Sequence, residues 1–391
     1  MKVAIVSSSY HPHYRGGGEY SVKALAEGLL ALGHQVRVIT AYDQTQTDEV
    51  NGVTVHRVRH PNIYWSYHSA KKSSGQKLLW HAIEGYNIRV ANAMAPLLTN
   101  FQPDVLHVRN VEDFSPYACK VAHQQGIPVV VTLNSYTWLC PKATMFKHGR
   151  NCPQQCWDCK LLTYPKKYLS RYVDAVVGVS QFMIDRHWQY GYFPRAKPAV
   201  VYTTAPSQPL PLPAQQSDHT TLGYIGRIHP TKGVHQIIEA FKKLPPPHRL
   251  LLAGDGPEDY VRHCRLLANE NERISFLGNH PAEDFYRQVD GVIINSLWNE
   301  PFPRVLAEAY AFGRPVLAAR TGGTPECVQP GQTGYIFDPE QPAQLEQQMR
   351  TLINLSREQL AQMQAQVIRF QQSLPEETQS YVHLYQSLQP G

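Results

Sequence analysis

Two runs of alternating strand and helix patterns constrain the fold of this chain more than any other feature. The first run opens with a short apolar strand at residues 2–7, a glycine turn at 16–18 and a helical pattern at 19–32. A further strand follows at 35–40. Strand, turn, helix and strand in this order are typical of a parallel βαβ unit. The second run repeats the pattern in the C-terminal half, so we predict an α/β protein with two Rossmann-like domains.

Composition predicts where one domain ends and the next begins. Residues 205–218 are rich in Pro, Gln and Ser, as linkers are. We therefore expect an N-terminal domain at residues 1–204 and a C-terminal domain at 219–365. Residues 366–391 form a predicted helical tail that we expect to pack back on the N-terminal domain.

Composition also excludes several functional classes. The sequence contains no apolar run long enough to span a membrane, and the apolar start is too short for a signal peptide. We expect a cytoplasmic protein, with the inner face of the membrane as a further location. The net charge of +6 suits anionic small molecules or an anionic membrane surface, although it is also ordinary surface chemistry. No basic block or recognition motif predicts a nucleic-acid partner.

The stretch at residues 299–326 combines the features of an anion site. A buried-type strand leads into it, prolines open a helix, and a second strand at 315–319 ends in a glycine turn at 321–324. Ligands of open α/β sheets bind at the carboxyl ends of strands, and helix N-termini and glycine turns favour anions. Because Glu300 and Glu308 lie beside this site, we predict a ligand with hydroxyls as well as phosphates.

Two segments of the N-terminal half are candidates for ligand contact. Gly16, Gly17 and Gly18 follow the first strand, where the backbone of such folds approaches a phosphate; a flexible loop is the alternative. Residues 60–75 combine aromatic side chains with lysines. That combination predicts an acceptor-side or membrane-facing loop, with a solvated loop as the alternative.

These motifs together resemble the GT-B glycosyltransferases, and specifically the retaining family 4 (glycosyltransferase group 1). Glu300 and Glu308 have the spacing of the family's Glu-x7-Glu signature. Further segments that resemble family motifs, in the family's order, are 16–19, 226–233, 254–257 and 321–326. The resemblance covers nearly the whole chain and implies two domains that face a central cleft. It implies transfer of a sugar from a nucleoside diphosphate to a glycan, lipid-linked or small-molecule acceptor, without a catalytic metal, in polysaccharide biosynthesis.

The resemblance also implies roles for individual residues. Arg227 and Lys232 would hold the donor diphosphate, because fixed cations stabilise charge on the leaving group; two surface cations are the alternative. Glu300 would contact the transferred sugar and Glu308 the ribose hydroxyls, whereas a capping carboxylate and a solvated helix residue are the alternatives. The other implied donor-binding positions are Gly16, Gly17, Gly226, Phe302, Gly322 and Gly323.

One position departs from the family pattern. Many members carry a His after the strand that ends here at Leu133, whereas this chain has Asn134. An Asn can donate a hydrogen bond to an acceptor sugar but cannot take a proton. In the family the departing phosphate is thought to accept the acceptor's proton, so transfer does not require the His. A nucleotide-sugar epimerase and a non-catalytic nucleotide-sugar-binding protein remain as alternatives.

Four of the seven cysteines cluster in a predicted insert near residues 140–160. Cys140, Cys152, Cys156 and Cys159 have the spacing C-x11-C-x3-C-x2-C. Four thiolates with a terminal C-x2-C predict a structural zinc site, and reduced thiols or a disulfide pair are the alternatives. We expect the insert to lie near the acceptor.

Overall fold

A computed structural model of the chain describes residues 1–14, 17–204 and 219–389, so the predicted linker at 205–218 lies outside the described residues. The chain divides into two compact units. Unit 1 comprises Met1–Met145, Cys152–Tyr202 and Glu376–Gly391, and unit 2 comprises Phe146–Asn151 and Thr203–Pro375.

Strands and helices alternate along most of the chain. The strands are β1 (Lys2–Ser7), β2 (Gln35–Tyr42), β3 (Gln46–Val50), β4 (Val53–Arg59), β5 (Val105–Val108), β6 (Val129–Leu133), β7 (Phe146–Lys147), β8 (Arg150–Asn151), β9 (Ala175–Gly178), β10 (Lys197–Val200), β11 (Thr221–Ile225), β12 (Arg249–Ala253), β13 (Ile274–Gly278), β14 (Gly291–Ile294), β15 (Val316–Ala319) and β16 (Gly334–Phe337). The α-helices are α1 (Gly17–Ala31), α2 (Ser74–Gly85), α3 (Arg89–Phe101), α4 (Tyr117–Gln124), α5 (Trp157–Leu169), α6 (Gln181–Trp188), α7 (Val234–Lys242), α8 (Glu258–Ala268), α9 (Ala282–Gln288), α10 (Arg304–Ala311), α11 (Pro342–Ile353), α12 (Arg357–Ser373) and α13 (Glu377–Gln386). None of the described helices is long and apolar enough to cross a membrane.

The sheet of unit 1 has the strand order β10-β9-β6-β5-β1-β2-β4-β3. All neighbours are parallel except β3, which pairs antiparallel with β4. From β1 the chain builds outward through β2 in one direction and through β5 in the other, so the order reverses between β1 and β5. Residues 3–6 of β1 are all fully buried, as expected for a central parallel strand covered on both faces.

The sheet of unit 2 is parallel throughout, with the order β13-β12-β11-β14-β15-β16. Its order reverses between β11 and β14, where Leu222 pairs with Gly291. Helices α7 and α11 contribute buried apolar side chains to the core of this unit. The predicted α/β class with two Rossmann-like units is therefore confirmed.

The C-terminal segment passes from unit 2 to unit 1 at residue 376, whereas the predicted tail begins at residue 366. Residues up to 375 group with unit 2, because α12 buries Met363 in the core of that unit and Phe370 contacts the ring of Tyr310 at 5.8 Å. Helix α13 belongs to unit 1, whose core contains Tyr381 and Tyr385.

The apolar spacing of residues 76–99 predicts one long helix, but the structure has two helices there. The chain forms α2 and α3 with a break at Asn87, whose side chain donates to Pro61 O (3.1 Å) and accepts from Arg89 N (3.1 Å). The Asn87 N–H donates to Ser115 Oγ at 3.3 Å. These partners come from distant parts of the chain, so the apolar periodicity of the segment contains no sign of the break.

His107 lies at the centre of a buried hydrogen-bond network in unit 1. Its Nδ1 lies 2.6 Å from Tyr385 Oη and its Nε2 lies 2.7 Å from Thr132 Oγ1. Arg109 donates to Tyr381 Oη at 2.7 Å. Burial, with the charge of Arg109 as a smaller cause, lowers the pKa of His107 well below its ordinary value. His107 is therefore a neutral core residue whose hydrogen bond to Tyr385 links α13 to the sheet.

Candidate active site

The candidate site of unit 2 lies where the strand order reverses. The loop that follows β11 carries Arg227 and Lys232, and the loop that follows β14 carries Ser296 and Glu300. Loops at the carboxyl ends of two such strands diverge to opposite faces of the sheet and leave a crevice between them. The fold therefore brings the predicted cations and the first carboxylate of the Glu-x7-Glu signature to one place.

Lys232, Glu300 and Ser296 form a compact polar cluster. The Lys232 ammonium donates to Glu300 Oε1 at 2.6 Å and to Ser296 Oγ at 3.2 Å. The Ser296 hydroxyl donates to the other carboxylate oxygen of Glu300. The side chains of Lys232 and Glu300 are 20% and 14% exposed, so both are fixed in place yet reachable by a ligand. No sequence motif indicates Ser296, whose hydroxyl orients the carboxylate of Glu300.

Arg227 differs from Lys232 in being exposed. It makes no side-chain hydrogen bond or ion pair with the part of the chain that the structure describes. Its backbone is fixed, because the buried Tyr224 hydroxyl donates to Arg227 O at 2.7 Å. Burial raises the pKa of Tyr224, so this hydroxyl stays a donor at neutral pH. The guanidinium is thus available to an anion on an anchored loop.

Close backbone packing explains the glycine turn after β15. Gly322 has a φ of 55°, and a Cβ at this position would collide with the backbone of Glu300. The Gly322 N–H donates to Asn299 Oδ1 (3.2 Å), and the Gly323 N–H donates to Glu300 O (2.9 Å). The two predicted glycines therefore hold the loop that carries Glu300, and in this structure their N–H groups have protein partners.

The loop at Gly226 and the Gly-Asp-Gly-Pro turn at residues 254–257 are in close backbone contact. A Cβ on Gly254 would collide with the carbonyl of Gly226, and one on Gly256 with the carbonyl of Ile228. Gly226 itself has a φ of 143°. Glycine is required here because the loops after β11 and β12 approach each other too closely for side chains.

Glu308 lies on α10 with both carboxylate oxygens engaged. Oε1 accepts from Arg304 Nε at 2.7 Å and Oε2 from the Tyr286 hydroxyl at 3.1 Å. The side chain is 22% exposed, and each oxygen keeps a lone pair for a further donor. Burial raises the pKa of Tyr286, with the charge of Glu308 as a smaller cause, so Tyr286 stays protonated.

Helix α10 begins later than the positions of the two prolines led us to predict. Helix α10 starts at Arg304 with Pro303 as its N-cap residue, so both prolines precede the first helical residue. Phe302 lies half-buried in the connection before α10.

Unit 1 carries its own set of predicted residues. Gly16 lies outside the described residues, and Gly17 is the first residue of α1. Asn134 follows β6, and its Nδ2 would lie 3.6 Å from a Cβ on Gly18. The structure therefore places Asn134 beside the glycine turn. Nearby, Asn110 Nδ2 donates to Ser8 Oγ at 3.1 Å, across the reversal point of this sheet.

The β7–β8 hairpin is a part of the site that sequence reasoning missed. Asn151 Nδ2 donates to Leu297 O (3.0 Å), and Asn151 Oδ1 accepts from Asn299 N (2.7 Å). The hairpin also borders a cavity of about 360 Å³, together with Arg320 and Glu340. The loop that precedes Glu300 is thus held from one side by Gly322 and from the other by Asn151.

The four clustered cysteines come together in pairs. The sulfurs of Cys140 and Cys159 are 3.9 Å apart, and those of Cys152 and Cys156 are also 3.9 Å apart. None of the four forms a disulfide bond. A hydrogen bond from the Cys159 thiol lowers the pKa of Cys140, although burial opposes the shift.

Comparison with known proteins identifies the family. Residues 15–205 match the family model described as Glycosyltransferase Family 4, and residues 213–369 match the one described as Glycosyl transferases group 1. A 42.6 kDa protein in the cps region of Klebsiella pneumoniae is 29% identical over 83% of this chain and 87% of its own length. An uncharacterized glycosyltransferase of Methanocaldococcus jannaschii is 27% identical over 88% of this chain and 86% of its own length.

Solved structures agree on the fold. Sucrose-phosphate synthase from Thermosynechococcus elongatus has a TM-score of 0.75 at 18% identity, covering 99% of this chain and 98% of that one. The Anabaena protein HepE, in complex with UDP, has a TM-score of 0.75 at 19% identity, covering 99% of this chain and 100% of that one. Both family models and these neighbours confirm the resemblance and the GT-B fold. The chain belongs to the family 4 (group 1) glycosyltransferases and is an enzyme of glycosyl transfer.

Proposed function

We propose that the enzyme transfers a sugar from a nucleoside diphosphate to a glycan, lipid-linked or small-molecule acceptor, with retention of configuration and without a catalytic metal. The observation that carries this proposal is the Lys232–Glu300 pair at the reversal point of unit 2, 2.6 Å between charged atoms and still reachable. UDP-sugars are the first donors to test, because HepE of the same fold has been solved with UDP and with UDP-glucose.

The cations have a direct role in such a transfer. The bond between the sugar C1 and the diphosphate oxygen breaks, and negative charge builds on the departing diphosphate. Lys232 and Arg227 stabilise that charge, Lys232 from a fixed position and Arg227 from an exposed one on an anchored loop. The acceptor oxygen bonds to C1 on the same face, and its proton passes to the departing phosphate oxygen.

The two carboxylates then contact different parts of the donor. A diphosphate competes with Glu300 for the Lys232 ammonium and frees one carboxylate oxygen to accept from a hydroxyl of the transferred sugar. Glu308 is oriented by Arg304 and Tyr286, and its remaining lone pairs accept from the ribose hydroxyls. Gly226, the backbone near Phe302, Gly322 and Gly323 are proposed to border the donor.

On the acceptor side we assign Asn134. It lies beside the glycine turn at the start of α1 and offers an amide donor to an acceptor hydroxyl. An amide takes no proton, which is consistent with a mechanism in which the leaving phosphate takes it.

A peripheral membrane contact is supported by an apolar stripe on α5 in unit 1. Its members follow one another at spacings of four, three and four residues and are Trp157, Leu161, Tyr164 and Tyr168. Their exposed fractions are 78%, 61%, 66% and 42%. Exposed cations flank them on the same segment, namely Lys160, Lys167 and Arg171. An apolar face bordered by basic residues fits an anionic bilayer surface, where a lipid-linked acceptor would be found.

Replacing Lys232 by Ala should lower kcat for sugar transfer by about 10²–10³-fold, the usual effect of removing one preorganised partner of transition-state charge. The assay is release of nucleoside diphosphate in the presence of acceptor and without added Mg²⁺ or Mn²⁺. Lys242→Ala, at an exposed lysine of α7, is the matched control. Wild-type activity in Lys232→Ala contradicts the assignment, and an isomerised sugar in a reaction with donor alone identifies an epimerase instead.

Glu308→Gln should weaken binding of a nucleoside diphosphate about 10–100-fold, since hydrogen bonds to a charged group contribute about 1.5–3 kcal/mol. Calorimetry should be repeated with a 2′,3′-dideoxynucleoside diphosphate. If Glu308 binds the ribose, the wild type discriminates between the two ligands and the variant discriminates much less. Glu358→Gln, on the exposed face of α12, should leave both affinities unchanged. Undiminished discrimination in Glu308→Gln would rule out the ribose contact.

Trp157→Gln combined with Leu161→Gln should reduce binding to vesicles containing phosphatidylglycerol by about tenfold, because binding then removes less apolar side-chain area from water. Binding is measured by co-sedimentation, and added salt should weaken it further. Leu266→Gln, at a 73% exposed leucine of unit 2, is the control. Equal binding of the double variant and the wild type, or equal binding to neutral vesicles, contradicts the membrane contact.

A further inference from the structure

The sulfurs of Cys140, Cys152, Cys156 and Cys159 lie in one contiguous group. Two pairs are each separated by 3.9 Å, and the sulfurs of Cys156 and Cys159 lie within 4.8 Å of each other. Zinc bound tetrahedrally to four thiolates at about 2.3 Å requires sulfur–sulfur separations of about 3.8 Å. A disulfide would instead bring two sulfurs to about 2.05 Å. The Cys140–Cys159 and Cys152–Cys156 separations match that value.

The surroundings of the four sulfurs favour thiolates. Cys156 is the N-cap residue of α5 and Cys159 lies in its first turn, where the helix dipole stabilises negative charge. The Arg186 guanidinium donates to Cys152 O at 3.1 Å and adds positive charge nearby.

We propose that Cys140, Cys152, Cys156 and Cys159 bind one Zn²⁺ ion, and that this ion fixes the base of the β7–β8 hairpin. Four thiolates complete a tetrahedral shell and leave no position for substrate, so the ion is structural. Asp158 lies near two of the sulfurs, but its carboxylate accepts from the Cys159 N–H at 2.9 Å and is exposed to solvent. It is not needed as a ligand.

The hairpin is joined to the cluster by its own chain. Cys152 directly follows Asn151, and the Cys152 N–H donates to Met145 O at 2.8 Å, which closes the base of the hairpin. Asn151 in turn holds the backbone of Leu297 and Asn299, next to Glu300. An ion that anchors Cys152 therefore restricts the base of the hairpin.

Metal content tests the site directly. Protein purified without chelator should contain one zinc per chain by mass spectrometry, and Cys159→Ser should lose it. Cys264→Ala, at a buried cysteine of unit 2, and Asp158→Asn should both retain it. Cobalt-substituted wild type should show thiolate-to-cobalt charge-transfer absorption of a tetrahedral site. Zinc-free wild type, or zinc retained in Cys159→Ser, overturns the proposal.

Thiol counting and proteolysis both use the wild type, so neither measurement depends on the folding of a variant. Wild type denatured in chelator without reductant should titrate seven thiols, the full number in the chain, whereas a lower count means a disulfide and overturns the zinc site. Lys147 and Arg150 are exposed tryptic sites on the hairpin. Cleavage there should be at least tenfold faster after zinc is removed from the wild type. Equal rates overturn the role in hairpin order.

Discussion

The candidate site of unit 2 depends on an ion pair held where the strand order of the sheet reverses. Lys232 and Glu300 are 68 residues apart in sequence, yet their charged atoms are 2.6 Å apart. Partial burial of two charges costs desolvation energy, and a buried ion pair is weak evidence for stability. Ser296 and the backbone of the β15 turn offset part of that cost by fixing the carboxylate. In the proposed function the pair is an anion site, in which Glu300 is the partner of the Lys232 ammonium until a donor binds.

The glycines of the motifs have a structural role that precedes any contact with phosphate. Gly322 and Gly254 sit where a Cβ would collide with the backbone of a neighbouring loop. In this structure they bring the loops after β11, β12, β14 and β15 together, and the side chains of Lys232 and Glu300 are placed as a result. Substitution at these glycines would therefore disturb loop packing before any contact with phosphate.

The convergence of these motifs could be predicted from the sequence because parallel sheets have a regular geometry. The carboxyl ends of all parallel strands lie at one edge, so motifs that follow β11, β14 and β15 had to converge. Sequence reasoning could not find the break at Asn87, whose partners are Pro61 and Ser115, nor that α12 stays with unit 2 and only α13 belongs to unit 1. The hydrogen bond of His107 to Tyr385 could not be predicted either, because the two residues are 278 positions apart and nothing local indicates the contact. The hairpin that carries Asn151 could not be predicted from the sequence. Its short polar strands have no hydrophobic periodicity, and Asn151 contacts residues that are distant in sequence.

We propose that Lys232 and its neighbours bind the diphosphate of a donor without a catalytic metal. The direct measurement is calorimetry of the wild-type enzyme, without added divalent cation, with UDP, ADP, GDP and dTDP and with the four matching nucleosides. We expect at least one diphosphate to bind at least tenfold more tightly than its nucleoside, and we expect added Mg²⁺ not to strengthen that binding. Equal affinity of diphosphate and nucleoside, or binding that requires Mg²⁺, would contradict this proposal.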